Sequence, residues 1–279
     1  MSNRPRACVI QFPGVNCEYE SARALRDAGA DAEIIRWNED SSLLADFDLF
    51  LLPGGFSYQD RIRAGVIASK EKILAALAEE AAKGKPVLGI CNGAQVLVEG
   101  GFIPGLNPGD VELALATNRM PAREGYYTDW RFLKIETETP SWLRSLGGEV
   151  LPAPFAHGEG RFTSRREGLF DELDAKGQIA LRYCDKDGQV DATWPVTPND
   201  SVVAAAGLCN PEGNVLAMMP HPERSAWLGQ VPEEIEGRWG ERRRSAAGDW
   251  TKLGAEGPGM AIMKAMVEAA RTRELRNAS

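Results

Sequence analysis

Gly89-Ile90-Cys91-Asn92-Gly93 closes an apolar run, and His221-Pro222-Glu223 follows 130 residues after Cys91 as the other compact set of acid/base groups. A thiol, an imidazole and a carboxylate are the parts of a cysteine hydrolase: nucleophile, base, and the group that orients the base. Residues 86–90 read as a buried strand and residues 92–99 as the start of a helix, which puts Cys91 on the sharp turn between them. That is the thiol counterpart of a nucleophile elbow, G-x-C-x-G. Its glycines let the backbone turn tightly, and the helix N-terminus behind the sulfur favours thiolate over thiol.

The chain holds two histidines, His157 and His221, so the choice of base is narrow. His221 follows the strand-like residues 215–219, and Glu223 lies two positions on, the same side of an extended chain. Pro220 and Pro222 fix φ on both sides of the imidazole, so Glu223 can hold one tautomer and orientation. A rival nucleophile is Cys17, which follows the strand-like residues 7–12 and a Pro13-Gly14 turn. Glu18 and Glu20 beside it oppose a thiolate.

These groups need a scaffold. Residues 7–12, 32–37, 48–52 and 86–91 are short and apolar. Residues 18–28 and about 65–83 are helical in pattern, with Ile67, Ile73, Leu74 and Leu77 able to share a face. This βαβ alternation predicts an α/β fold: a mostly parallel open sheet with helices on both faces. Ligands of such sheets bind beyond the carboxyl ends of the strands, where both Cys91 and the Pro53-Gly54-Gly55 loop fall. Backbone N–H groups of that loop, with that of Asn92, can make an oxyanion hole; a plain tight turn is the other reading.

Residues 110–208 carry more Trp, Tyr and turn residues and predict a smaller antiparallel portion. Neither a repeat nor a low-complexity linker divides the chain. The expectation is a single domain over 1–279, with a core of about 6–226 and an extension of 227–279. Met260, Met263, Met266 and Val267 recur at helical spacing and predict a packed terminal helix, while the arginines at 238, 242, 243 and 244 read as a solvated face.

Composition narrows the classes. With 279 residues and 43% hydrophobic content the chain can bury a full core. A net charge of -8 argues against nucleic acid or an anionic membrane as the main partner. Five cysteines without a C-x-x-C pair fit poorly with a disulfide framework, and with two histidines they give no metal-ligand spacing. No apolar stretch reaches membrane length, and residues 1–6 lead into the first strand without a signal-type run, which points to a reducing cytoplasm.

Further segments are distinctive: Phe12-Pro13-Gly14-Val15-Asn16-Cys17-Glu18, Gly54-Gly55-Phe56-Ser57-Tyr58, Arg63-Ala64-Gly65, Ala156-His157-Gly158-Glu159-Gly160-Arg161, Tyr183-Cys184-Asp185 and Met218-Met219-Pro220-His221-Pro222-Glu223-Arg224. With Gly89-Ile90-Cys91-Asn92-Gly93-Ala94-Gln95 they make the chain resemble the triad (class I) glutamine amidotransferases, and within them the glutaminase subunits of phosphoribosylformylglycinamidine synthases. The resemblance implies a flavodoxin-like sheet and glutamine hydrolysis by Cys91, His221 and Glu223. It implies that Gln95 helps to hold glutamine, and that the loop of Gly54 and Gly55, with Asn92, stabilises the oxyanion. Ammonia would pass to a large synthase subunit, which uses ATP and Mg to convert formylglycinamide ribonucleotide to formylglycinamidine ribonucleotide in purine biosynthesis; a small bridging subunit is implied too. This chain carries neither a G-x-x-x-x-G-K-[ST] loop nor a G-x-G-x-x-G opening a helix, so no cofactor is expected in it.

The segment His157-Gly158-Glu159-Gly160-Arg161 reads from chemistry as a mobile, partner-sensing loop, as an anion cradle using Arg161 and backbone N–H groups, or as a surface turn with no special role. The resemblance favours the first, with His157, Glu159 and Arg161 at the interface or just behind the catalytic groups. Two other function classes stay open on the residues alone: a stand-alone cysteine hydrolase of peptidase or deglycase type, and a non-catalytic regulatory scaffold, against which the intact trio of Cys91, His221 and Glu223 argues.

Overall fold

Four short apolar segments form the parallel strands β1 (Arg6–Gln11), β2 (Asp31–Arg36), β3 (Leu49–Leu52) and β4 (Val87–Ile90), in a computed structural model that describes residues 4–277. The Leu-Phe-Leu-Leu of β3 and Val-Leu-Gly-Ile of β4 are buried throughout, as strands covered on both faces must be. Helix α1 (Glu18–Asp27) makes the first crossover; Glu18 and Glu20 in its first turn and Arg26 in its last complement the helix dipole.

The remaining elements follow in chain order: α2 (Lys72–Ala82), α3 (Asn92–Glu99), β5 (Ala114–Thr117), the short strands β6 (Arg119–Met120) and β7 (Arg123–Glu124), β8 (Tyr127–Ile135), β9 (Val150–His157), β10 (Glu159–Thr163), α4 (Leu169–Ala175), β11 (Ile179–Cys184), β12 (Ala205–Cys209), β13 (Val215–Met218), α5 (Gly237–Ser245), α6 (Trp250–Leu253) and α7 (Met260–Asn277). One nine-stranded sheet runs β2-β1-β3-β4-β13-β12-β11-β8-β9. Its first five strands are parallel, in the doubly wound order that reverses between β1 and β3. The antiparallel strands β12, β11, β8 and β9 extend that same sheet. The mostly parallel, helix-flanked α/β fold expected from the alternation is the one found.

Two local expectations need correction. Residues 65–83 are not one helix: a 3-10 turn at Ala68–Lys70 is separated from α2 by Glu71, which is extended with ψ 145°. Glu71 accepts the hydroxyl of Tyr58, and Gly65 sits at φ 80° against the Gln95–Val96 backbone. The segment His157-Gly158-Glu159-Gly160-Arg161 is not a free loop either, because β9 runs to His157 and β10 starts at Glu159. Helix α4 was hidden within the antiparallel region because seven residues are too few to display a helical period.

Helix α7 packs its buried Met260, Met263, Met266 and Val267 against α1, β3 and the 3-10 turns Trp142–Leu146 and Pro222–Arg224. Of the four arginines, Arg238 pairs with Glu149 and Arg243 with Glu233, while Arg242 lies over Trp239 and Arg244 donates to the Glu233 carbonyl. Among the described residues all five cysteines are free, and no helix is long and apolar enough to cross a membrane.

Close packing explains both elbow glycines. A Cβ at Gly93 would lie 2.0 Å from the Leu52 carbonyl oxygen, and one at Gly89 would lie 2.6 Å from that of Gly93. Gly93→Ala should therefore cost about 3 kcal/mol, in the range of overpacked cores, read as a lower urea midpoint with an unchanged m-value. An unshifted midpoint would contradict this packing.

Candidate active site

Four neighbouring strands of the sheet deliver their carboxyl ends to one place. Cys17 arrives on the turn after β1, Gly54 after β3, Cys91 after β4 and His221 after β13. Cys91 has φ 50° and ψ −106°, a backbone that side-chain-bearing residues adopt only when their surroundings enforce it. Its N–H donates to the Met218 carbonyl at 2.9 Å and its Sγ lies 3.7 Å from the Ala156 carbonyl oxygen. Like His221, it is almost wholly buried.

The His221 N–H is anchored on the Pro154 carbonyl at 2.8 Å, and its Nδ1 lies 2.5 Å from Oε1 of Glu223. Glu223 is fully buried in the 3-10 turn that Pro222 starts, so the i, i+2 spacing brings the pair together in a turn rather than in extended chain. Burial works against a charged imidazole here. The Glu223 carboxylate and the sulfurs of Cys91 and Cys17 outweigh it and hold His221 well above its ordinary value. The Cys17 sulfur lies within 4.8 Å of an imidazole nitrogen. A Cβ on Gly54 would lie 2.6 Å from Cε1 of His221, 3.1 Å from the Cys17 sulfur and 3.4 Å from Cβ of Cys91.

Gly55 has φ 140° and packs against Val15, where a Cβ would be 2.5 Å from that residue's Cα. Its N–H and that of Asn92 have no hydrogen-bond partner among the described residues. The Asn92 side chain accepts the Ser57 N–H at 3.0 Å and donates to Oε1 of Gln95 at 2.9 Å. Nε2 of Gln95 donates to the Glu159 carbonyl at 2.6 Å. Asn92, Gln95 and Glu159 thus form one connected set that ties α3 to β10. Oε2 of Glu159 accepts the Ala64 N–H at 3.3 Å, and Arg161 donates to the Thr117 carbonyl at 3.0 Å.

His157 lies inside the fold. It is 3% exposed, its Nδ1 is 3.2 Å from Oδ1 of Asn118, and its ring lies over Gly160, where a Cβ would be 2.1 Å from Cε1. His157 is thus held within the fold, near enough to His221 for the charge of that ring to act on it. Burial, then the charge of His221, pushes it down to about 3.

Two contributors escaped the sequence reading. Asn118, fully buried, holds both His157 and the Gly160 N–H, and nothing in its Thr-Asn-Arg context signals that. Asp60 accepts from Nδ2 of Asn92 at 3.3 Å and is pushed up to about 6 by burial and by Glu159. Its left-handed φ of 52°, beside those of Tyr58 and Gln59, belongs to the segment after Gly54-Gly55. Donor atoms of Cys17, His221 and Glu223 lie within 4.8 Å of one another. The Glu223 carboxylate is engaged by the imidazole, and Nη2 of Arg224 donates to the Cys17 sulfur at 3.1 Å, so a cation would meet a positive charge already in place. The cluster has the make-up of an ion-pair network rather than of a metal centre.

Residues 4–256 match the CobB/CobQ-like glutamine amidotransferase domain. The chain is 48% identical over 238 residues to the phosphoribosylformylglycinamidine synthase subunit PurQ of Methanothrix thermoacetophila, covering 82% of this chain and 90% of that one. It is 40% identical to the subunit of the same name from Pyrococcus furiosus, over 78% of this chain and 88% of the other. Among solved structures it is similar to a chain in the structure of PurLQS from Thermotoga maritima, with TM-score 0.64, 32% identity, and coverage of 87% of this chain and 97% of that one.

The buried neutral His157 has a consequence for acid stability. Its folded value near 3 lies below the ordinary 6.5, so its contribution is complete above pH 6.5 and is lost as the pH falls toward 3. The loss is at most about 1.4 kcal/mol per pH unit. In urea titrations at successive pH values, His157→Gln should lose less stability than the native chain between about pH 6 and pH 4. Equal slopes would exclude a depressed His157.

Proposed function

Since the chain belongs to the CobB/CobQ-like glutamine amidotransferase family, among the PurQ subunits of phosphoribosylformylglycinamidine synthases, we propose that it hydrolyses glutamine and supplies the ammonia for that synthase reaction in purine biosynthesis. The observation that carries the reading is the buried His221–Glu223 pair, 2.5 Å apart, set against Cys91 on its left-handed elbow. A histidine held protonated beside a thiol favours the thiolate–imidazolium pair, the reactive form of a cysteine nucleophile.

The Cys91 sulfur attacks the side-chain amide carbon of glutamine, and the carbonyl oxygen takes the negative charge. The N–H groups of Gly55 and Asn92 stabilise that oxyanion. His221 gives its proton to the leaving nitrogen, the C–N bond breaks, and ammonia departs from a glutamyl thioester. Neutral His221 then takes a proton from water, which attacks the thioester and releases glutamate. Glu223 keeps Nδ1 of the imidazole engaged throughout. Gln95, fixed between Asn92 and Glu159, lines the glutamine site.

The chain works in an assembly with a synthase subunit and a small third subunit, a reading supported by its likeness to a chain of PurLQS. ATP and Mg belong to the synthase, which carries the nucleotide chemistry, and this chain needs no cofactor of its own.

Glutamate release, measured with and without a synthase partner, tests the reading. Cys91→Ala should lower it by about a thousandfold or more, and native turnover in that variant would refute the mechanism. Glu223→Gln removes the charge that raises His221, so the alkaline limb of the kcat profile should move to lower pH. An unmoved limb would show that Glu223 does not set the imidazole.

A further inference from the structure

The chemistry above leaves one group of the site unused. Cys17 is 1% exposed and stands immediately ahead of α1, with its sulfur within 4.8 Å of a nitrogen of the His221 imidazole. Nη2 of Arg224 donates to that sulfur at 3.1 Å, and Nε of Arg224 donates to Oε1 of Glu20 at 2.7 Å. Glu20, Arg224, Cys17 and His221 therefore form one chain of contacts from α1 to the base. The two neighbouring carboxylates are accounted for: Glu18 accepts from Nε2 of Gln11 at 2.8 Å, and Glu20 is taken by Arg224. Burial pushes the Cys17 thiol up, against the opposing effects of His221 and Arg224, which makes it a poor competitor for the nucleophile's role.

We propose that Cys17 and Arg224 are positioning residues for His221: the arginine-polarised sulfur braces the imidazole from the end of α1 while Glu223 holds it at Nδ1. Glu223 holds the ring through a single nitrogen, and a ring held at one atom can still tilt about that bond. A second contact removes the tilt and keeps the proton-bearing nitrogen in line with Cys91. Displacement of a catalytic group by about 1 Å can cost about a hundredfold in rate. The contact also places a polarised sulfur beside the positive ring. The groups that face His221 are Cys17 from the turn ahead of α1, Cys91 from the elbow, His157 from β9 and Glu223 from its own turn, with Arg224 behind the Cys17 sulfur.

The inference rests on the glutaminase reading, and its test separates the two. In the enzyme assembled with its synthase, Cys17→Ala should lower kcat for glutamate release by about ten- to a hundredfold. The KM for glutamine should stay within about twofold, since no substrate contact is lost. The alkaline limb should move to lower pH, because the sulfur helps to raise His221. Cys17→Ser, which restores a polar partner for Arg224, should recover most of kcat and the position of the limb. Arg224→Gln should match Cys17→Ala in kcat, and the double variant should be no worse than either, as expected of residues acting through one contact.

Native kcat and pH profile in Cys17→Ala would overturn the proposal while leaving the glutaminase reading intact. So would a lowered Tm and raised KM shared equally by the Ala and Ser variants, which would make Cys17 a packing residue. Loss of the glutamyl thioester in Cys17→Ala, with Cys91→Ala still forming it, would make Cys17 the nucleophile and overturn both assignments. Failure of the native assembly to release glutamate would bring down the glutaminase reading and the inference with it.

Discussion

At Gly54 there is no room for a methyl group. An added Cβ would press on the His221 ring, the Cys17 sulfur and Cβ of Cys91 at once. The site depends on that convergence: four adjacent strands end at one level, and the turns leaving them must approach to backbone contact. Gly89 and Gly93 meet the same demand on either side of the elbow, one against the other and the second against Leu52. With α3 pressed that closely onto β3, the residue between β4 and α3 has little choice but φ 50°. The strained backbone of Cys91 is held by the packing of the sheet, as strain at functional sites has to be.

Within this packed setting two equally buried histidines are shifted in opposite directions. His157 faces neutral partners, the Asn118 amide and the Gly160 backbone, so desolvation decides and the ring stays uncharged. His221 faces a carboxylate and two sulfurs, and their field exceeds the same desolvation. Burial strengthens whichever electrostatic partner is present, so the difference lies in the neighbours. Each ring also bears on the other, since a protonated His221 makes a second positive charge at His157 still less favourable. The site thereby keeps one proton on the base that needs it.

Much of this was legible in the sequence, and for local reasons. G-x-C-x-G between an apolar run and a helix start encodes the elbow within five residues, and His-Pro-Glu encodes the base and its orienter within three. The parallel half of the sheet was readable because β3 and β4 are unbroken apolar runs. What escaped depends on distant contacts. The break at Glu71 answers to Tyr58, thirteen residues earlier. Asn118 supports a hairpin 39 residues away. Cys17 meets Arg224 across 207 residues, so a reading limited to its neighbours saw two hostile carboxylates and missed the guanidinium. The segment from His157 to Arg161 looked mobile because of its two glycines. In the fold Gly160 is there for the opposite reason, to let an imidazole lie on the backbone.

Burial is common to the two rings, and their neighbours decide which of them carries a proton. With only two histidines in the chain, a pH titration of the imidazole nitrogens by NMR reads both directly, and His157→Gln assigns them. One ring should stay neutral until the pH approaches about 3, and the other, His221, should stay protonated well above the ordinary value of 6.5. A His221 that titrates at or below 6.5 would contradict the account, because Cys91 would then have no imidazolium beside it.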